Sequence, residues 1–191
     1  MSGFPKVAAA SNPALQYNDL LGLSMDVWEA TSAGQQPTVA TLALARIPLP
    51  STMTVTNVGA VLDVLGATLT HSFFGLYYSN GTLIGQTADQ STPWKAGGTL
   101  GPYILPLVGG PFVCSPLAAN DFIWGAIYVG TAVTMPIFAA SVGLNQNAGN
   151  LGTTAARSRS GQYAVANTAT LPSITPGSIN QWGVEFLMAI S

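Results

Sequence analysis

From Thr38 onward the chain alternates short apolar runs, rich in β-branched and aromatic residues, with breaks marked by Gly and Pro. That texture predicts strands joined by turns. Val39, Thr41, Leu42, Leu44 and Ile47 lead into Pro48-Leu-Pro50, where proline withholds ladder donors and ends a strand. Thr52–Thr70 is rich in Val and Thr, with Val55, Val58, Val61, Val64 and Leu65 as core candidates. The run from Phe73 to Gly85 predicts a hairpin, with Asn80-Gly81 supplying the positive φ values of a tight type I′ turn. Further strands are predicted over Tyr103–Val108, Phe122–Val129, Val133–Ala140, Gln162–Ala166 and Trp182–Ile190. Gly97-Gly98, Gly101-Pro102, Gly109-Gly-Pro111 and Pro176-Gly177 punctuate them, and no amphipathic helical stretch longer than about three turns intervenes. The fold class that follows is all-β: an antiparallel β-sandwich, jelly-roll-like, over residues 37–191.

Residues 1–36 read as an extended N-terminal docking arm. They hold Lys6, Asp19, Asp26 and Glu29. Asn18-Asp19 is placed to cap a short helical turn through Leu20 and Leu21, which Gly22 breaks, and Gly34-Gln-Gln-Pro37 reads as a linker. The arm's apolar residues Leu20, Leu21, Val27 and Trp28 are its candidate assembly contacts.

Composition sharpens this picture. Of 191 residues, 5 are Lys or Arg and 7 are Asp or Glu, for a net charge of −2. An ordinary soluble domain of this length would carry roughly 48 charged residues. An apolar content of 48 % excludes disorder, and the lack of a basic cluster argues against nucleic acid as a partner. Phe122–Leu144 is uncharged and long enough to span a bilayer. It is interrupted by Gly125, Gly130, Thr131, Thr134 and Pro136 and has no flanking Lys or Arg, so it reads as two buried strands turning near Gly130-Thr131, without membrane insertion. The start, Met1-Ser-Gly-Phe-Pro-Lys6, lacks the apolar stretch of a signal peptide. The single Cys114 cannot form an internal disulfide and reads as a core residue of a protein made in a reducing cytoplasm.

Candidate chemistry is sparse. One His and one Cys do not make the usual zinc site, so no metal or cofactor is expected. His71, Asp89 and Ser91 are the residue types of a nucleophilic triad, but Ser91 lacks the Gly-x-Ser-x-Gly elbow. The favoured reading is a histidine at a strand end and an Asx-type turn at Asp89. Asp121 and Glu185, with Asp63 as a third candidate, could supply the two carboxyls of glycoside hydrolysis. Asp121 reads instead as a turn residue, and Glu185 as facing solvent or meeting an arginine. Non-enzymatic function is therefore expected. Tyr77, Tyr78, Trp94, Tyr103 and Trp124 are aromatic enough for a sugar platform, although Tyr77 and Tyr78 must point to opposite faces of their strand.

At Leu83-Ile-Gly-Gln-Thr-Ala-Asp-Gln-Ser-Thr-Pro-Trp94 the chain resembles a β-sandwich module of virion proteins of phages that infect actinobacteria, often minor tail or tail-fibre components. Leu42–Arg46, Thr54–Val58, Gly75–Gly81 and Tyr128–Ala139 carry the rest of the likeness, which spans roughly residues 38–140. The arm and the apolar stretch Gly101–Leu117 depart from the module. The resemblance implies a structural or host-binding protein located in the virion and assembled in the host cytoplasm. Its implied partners are copies of itself, with a trimer favoured, other virion proteins and a host cell-envelope glycan. Tyr78 and Trp94 are the candidate receptor contacts. The alternatives are a capsid decoration protein or head fibre gripped by the arm, a carbohydrate-binding module and, as the enzyme option, a cell-wall hydrolase. A surface this poor in charge cannot keep copies apart by repulsion, and burial in subunit contacts is the physical expectation.

Overall fold

In the computed structural model, residues 20–25, 30–119, 121–142 and 160–191 are described. Their strands, numbered along the chain, begin with β1 (Gly22–Leu23), β2 (Thr31–Gln35), β3 (Thr41–Pro48), β4 (Met53–Val55) and β5 (Asn57–Val64). There follow β6 (Thr70–Tyr78), β7 (Leu83–Gln86), β8 (Gly101–Pro106), β9 (Phe112–Cys114) and β10 (Phe122–Thr131). The last are β11 (Ile137–Val142), β12 (Ser160–Ala164), β13 (Asn180–Gln181), β14 (Val184–Phe186) and β15 (Met188–Ile190).

Among the described residues these strands form an all-β, antiparallel sandwich, as the sequence pattern predicts. One sheet has the order β13-β12-β3-β10-β6-β7. In the other, β1-β15-β5-β11-β14 form the main path, β8 adds to β5, and β2 adds to β11. A separate two-stranded ribbon joins β4 to β9. The main core lies between the two large sheets. Ala43, Ala45 and Ile47 of β3, Phe74 and Leu76 of β6, and Ile123 and Ile127 of β10 meet Val58 and Leu62 of β5, Phe138 of β11 and Met188 of β15.

The opposite face of the first sheet is also apolar. Leu42, Leu44, Phe73, Tyr77, Trp124, Ala126 and Tyr128 form a second buried layer with Val165, Leu171, Ile174 and Ile179. Period-2 alternation explains how one strand feeds both layers: Leu42 and Leu44 point one way, Ala43 and Ala45 the other. The cover is the irregular segment 165–179, which includes a short 3₁₀ turn at Pro176–Ser178. It is tied down by Val165 N–H to Ala40 O (3.0 Å), Ile174 N–H to Gly81 O (2.9 Å) and Leu171 N–H to Gln86 Oε1 (2.6 Å). Burial on both faces accounts for the continuous apolar runs of β3 and β10.

Several expectations are corrected. The β6–β7 hairpin forms, but its loop is not type I′. Tyr78 accepts from Gly81 N–H and donates to Thr82 O, leaving Ser79-Asn80-Gly81 as a three-residue loop in which only Gly81 has positive φ (+86°). That is the bulged alternative to the two-residue turn, and it brings Gly81 O to Ile174. The stretch from Phe122 is no hairpin. β10 runs through Thr131, and β11 starts after Pro136 in the opposite sheet. The predicted final strand is broken at Leu187, whose N–H reaches Ala139 O (3.0 Å), so that β14 pairs with β11 and β15 with β5. Val64, a predicted core residue, is 46 % exposed.

The described parts of the N-terminal region are woven into the sandwich. Gly22 and Leu23 pair with Ile190 and Ala189, and Gln35 and Thr31 pair with Phe138 and Ala140. Leu20 and Leu21 do not start a helical turn, because Leu21 N–H is taken by Ile190 O (2.9 Å). Ser24 is buried, donating its hydroxyl to Phe186 O (2.7 Å) and accepting Met188 N–H (2.9 Å). Met25 packs with Ala139 and Leu187.

Candidate functional site

The hairpin strand β6 and the turn after β7 do bring His71, Asp89 and Ser91 into one neighbourhood. Asp89 Oδ1 accepts the N–H of Ser72 (3.1 Å), the N–H of Ser91 (2.8 Å) and the Ser91 hydroxyl (2.5 Å). His71 Nδ1 lies 2.8 Å from Asn167 Oδ1, an acceptor, so Nδ1 carries the proton. A nucleophilic triad needs the serine hydroxyl to donate to the imidazole and the carboxylate to hold its other nitrogen. Here the hydroxyl goes directly to the carboxylate and an amide holds the ring. The wiring is that of the Asx-type turn. Burial pushes the Asp89 carboxyl up, but the bonds from Ser91 and Ser72 and the nearby imidazole outweigh it and hold the pKa below the usual carboxylate value.

Of the candidate hydrolytic carboxyls, Asp121 lies just before a strand of the first sheet, whereas Glu185 and Asp63 belong to the other. Asp121 precedes β10 and is a buried turn residue, as expected, with Oδ2 accepting Leu117 N–H at 2.6 Å. Its pKa is pushed up by burial but more strongly down by bonds from the Ser79 hydroxyl and the N–H groups of Leu117, Phe122 and Ala118, for a net lowering. Glu185 sits on β14 opposite Ser141 and is 2 % exposed, so it does not face solvent. Asp63, on β5, is half-buried, and desolvation raises its pKa. Among the described residues no three His, Cys, Asp or Glu side chains are grouped to hold a metal ion. Cys114 is buried, and its thiol pKa is raised by desolvation.

Trp94 cannot be a receptor contact in this structure, because its exposure is 0 %. The ring is wedged between Phe74 of one sheet (4.7 Å between centroids) and Phe138 of the other (5.0 Å). Burial of an indole there contributes more than any surface contact it could make. Tyr77 and Trp124 are likewise fully buried, so the five-ring platform does not exist. Tyr78 is half-buried, packs on the main core and donates its hydroxyl to Val113 O (3.3 Å). Tyr77 faces the second layer, confirming that the two tyrosines point apart. Of the arm's candidate contacts, Leu20 is half-buried and Leu21 is 44 % exposed, while Val27 and Trp28 lie outside the described residues.

The structure adds a feature that local sequence did not disclose. An open groove of about 650 Å³ runs along β7, lined among others by His71, Phe73, Gln86, Asp89, Phe112 and Thr170. His71 has φ +52° inside a strand. The ladder skips it: Ser72 pairs with Val129 and Thr70 with Thr131. A side chain on the facing Gly130 would run into Asn167 Oδ1, so glycine there leaves room for the bond that fixes the imidazole. No local motif foretells this, since Asn167 lies 96 residues from His71 and Phe112 comes from the separate ribbon.

No protein-family model matches the chain, and no curated protein matches it.

Proposed function

We propose that this chain is a non-enzymatic structural protein of a phage virion, a tail-tip or tail-fibre component that contacts the host envelope. The observation that carries the assembly role is the balance of exposed side chains. The described charged residues are Arg46, Asp63, Asp89, Lys95, Asp121 and Glu185, and the last two are buried. Against them, Leu21, Val39, Val64, Leu100, Val108, Val113, Leu117 and Val133 are exposed by 40 % or more. A solvent-facing surface ordinarily reverses that balance. At about 25 cal/mol per Å², covering 1,000 Å² of apolar surface offers a gross gain of about 25 kcal/mol before association costs. The virion placement is supported by the likeness over Leu83–Trp94, and a trimer is what a tail-fibre likeness implies.

Light scattering on the purified full chain at micromolar concentration tests the assembly role. A closed oligomer, threefold in mass for the trimer, is expected, and a monodisperse monomer overturns it. Gold-labelled antibody against the chain then reads position on virions: label at the tail supports the proposal, and label spread over heads replaces it with capsid decoration.

A further inference from the structure

We propose that the groove along β7 binds a neutral pyranose unit of a glycan. Its polar chemistry is independent of the assembly role, with which it shares only Val108. Three of its polar side chains are each fixed through one atom while another carries no hydrogen bond among the described residues. Asp89 is held through Oδ1 by Ser72 and Ser91, leaving Oδ2. His71 is held through Nδ1 by Asn167, leaving Nε2. Gln86 is held through Oε1 by Leu171 N–H, leaving its amide NH₂ as a donor. Side chains already ordered lose little freedom when a ligand arrives. The strained backbone at His71 belongs to the same arrangement, because such residues persist only where the surroundings hold them and cluster at ligand sites.

An acceptor beside a donor matches sugar hydroxyls, which both donate and accept, and the half-buried Phe112 ring, with Leu83 and Ile84, supplies an apolar wall for a C–H face of a pyranose. The ionised Asp89 in the groove's lining disfavours uronates and phosphates. Its volume suits a small ligand. A peptide strand adding to the edge of β7 fits poorly. Gln86 O is already taken by Val108 N–H (2.8 Å), Thr87 is bridged to Leu107, and Leu83 N–H reaches Ser173 Oγ (3.4 Å).

The test is a glycan array and calorimetric titration of the full chain. The probes are oligosaccharides ending in glucose, galactose, mannose or N-acetylglucosamine, with galacturonate- and phosphate-bearing counterparts. Asp89→Asn and Gln86→Glu each keep the oxygen that fixes the side chain and change only the free atom. Binding of at least one neutral probe, weakened tenfold or more by either variant while that variant remains folded at the titration temperature, is the expected result. Lack of binding to every neutral probe at millimolar concentration overturns the proposal, as does binding that both variants retain or binding to charged probes alone. Should Asp89→Asn fail to fold, Gln86→Glu carries the same decision.

Discussion

Tyr77 on β6 and Tyr128 on β10 lie in the same buried layer, yet their hydroxyls are in opposite situations. Tyr128 donates to Ala166 O (2.9 Å) and accepts Thr168 N–H (3.2 Å), whereas the buried Tyr77 hydroxyl has no partner among the described residues. Burial, then the proximity of Tyr128 and Tyr163, drives the Tyr77 pKa far upward. A polar group buried without a partner costs stability, so Tyr77→Phe should be neutral or stabilising by about 1 kcal/mol. Tyr128→Phe should destabilise by about 1–2 kcal/mol, because it strands two backbone groups. Urea unfolding of the pair checks both signs. Asp121 gives a pH prediction. Its folded pKa is depressed, so its contribution is present above the unfolded carboxylate value of about 3.9 and is lost as pH falls through the lower folded value. Chemical unfolding from pH 6 to pH 2, compared with Asp121→Asn, should show a shallower acid loss in the variant. The Asx-turn and turn-residue readings of Asp89 and Asp121 were legible locally, because such side chains bond to backbone within a few residues. The burial of Glu185 was not, since it depends on the layer packed over β14.

At the scale of elements, the stretch Leu83–Trp94 is best understood as a way of seating one indole. β7 pairs with β6, the Thr87 hydroxyl accepts Phe74 N–H (3.1 Å), the Asp89 turn reverses the chain, and Trp94 drops between the sheets. Trp94→Ala should cost about 3–5 kcal/mol, read as a fall in the urea midpoint. A surface-exposed receptor contact would show almost no such loss. The β6–β7 loop makes a second prediction. Gly81 has φ +86°, and a Cβ there would collide with Ile174 O, which belongs to the cover over the second layer. Gly81→Ala should therefore destabilise by more than the roughly 1 kcal/mol of left-handed strain alone, and thermal melting will show it. The Asn-Gly pair announced the hairpin, but loop length was decided by what the loop touches.

For the whole molecule, the consequence is where the chain can be cut. Removal of residues 1–36 deletes β1 and β2 together with Ser24 and Met25, and it leaves Ile190 O and Met188 N–H without their partners. That truncation should lose cooperative unfolding, whereas removal of residues 1–19 takes away none of the described strands. Circular dichroism melts of the two truncations separate a detachable arm from a piece of the fold. The sequence boundary near residue 36 followed a shift in charge and a Gly-Gln-Gln-Pro linker signal. Two-residue and five-residue strands at a sheet margin leave too weak a periodicity to counter it.

Runs of strand formers and Gly and Pro punctuation were enough to determine an all-β antiparallel sandwich, because those signals are local and strands express them residue by residue. The tertiary structure alone decided which apolar face met which. It laid segment 165–179 over the first sheet, drew Trp94 inward, and joined His71 to Asn167 beside a groove. Each of these depends on contacts between positions far apart along the chain, and side-chain order within a strand carries no record of its distant partner.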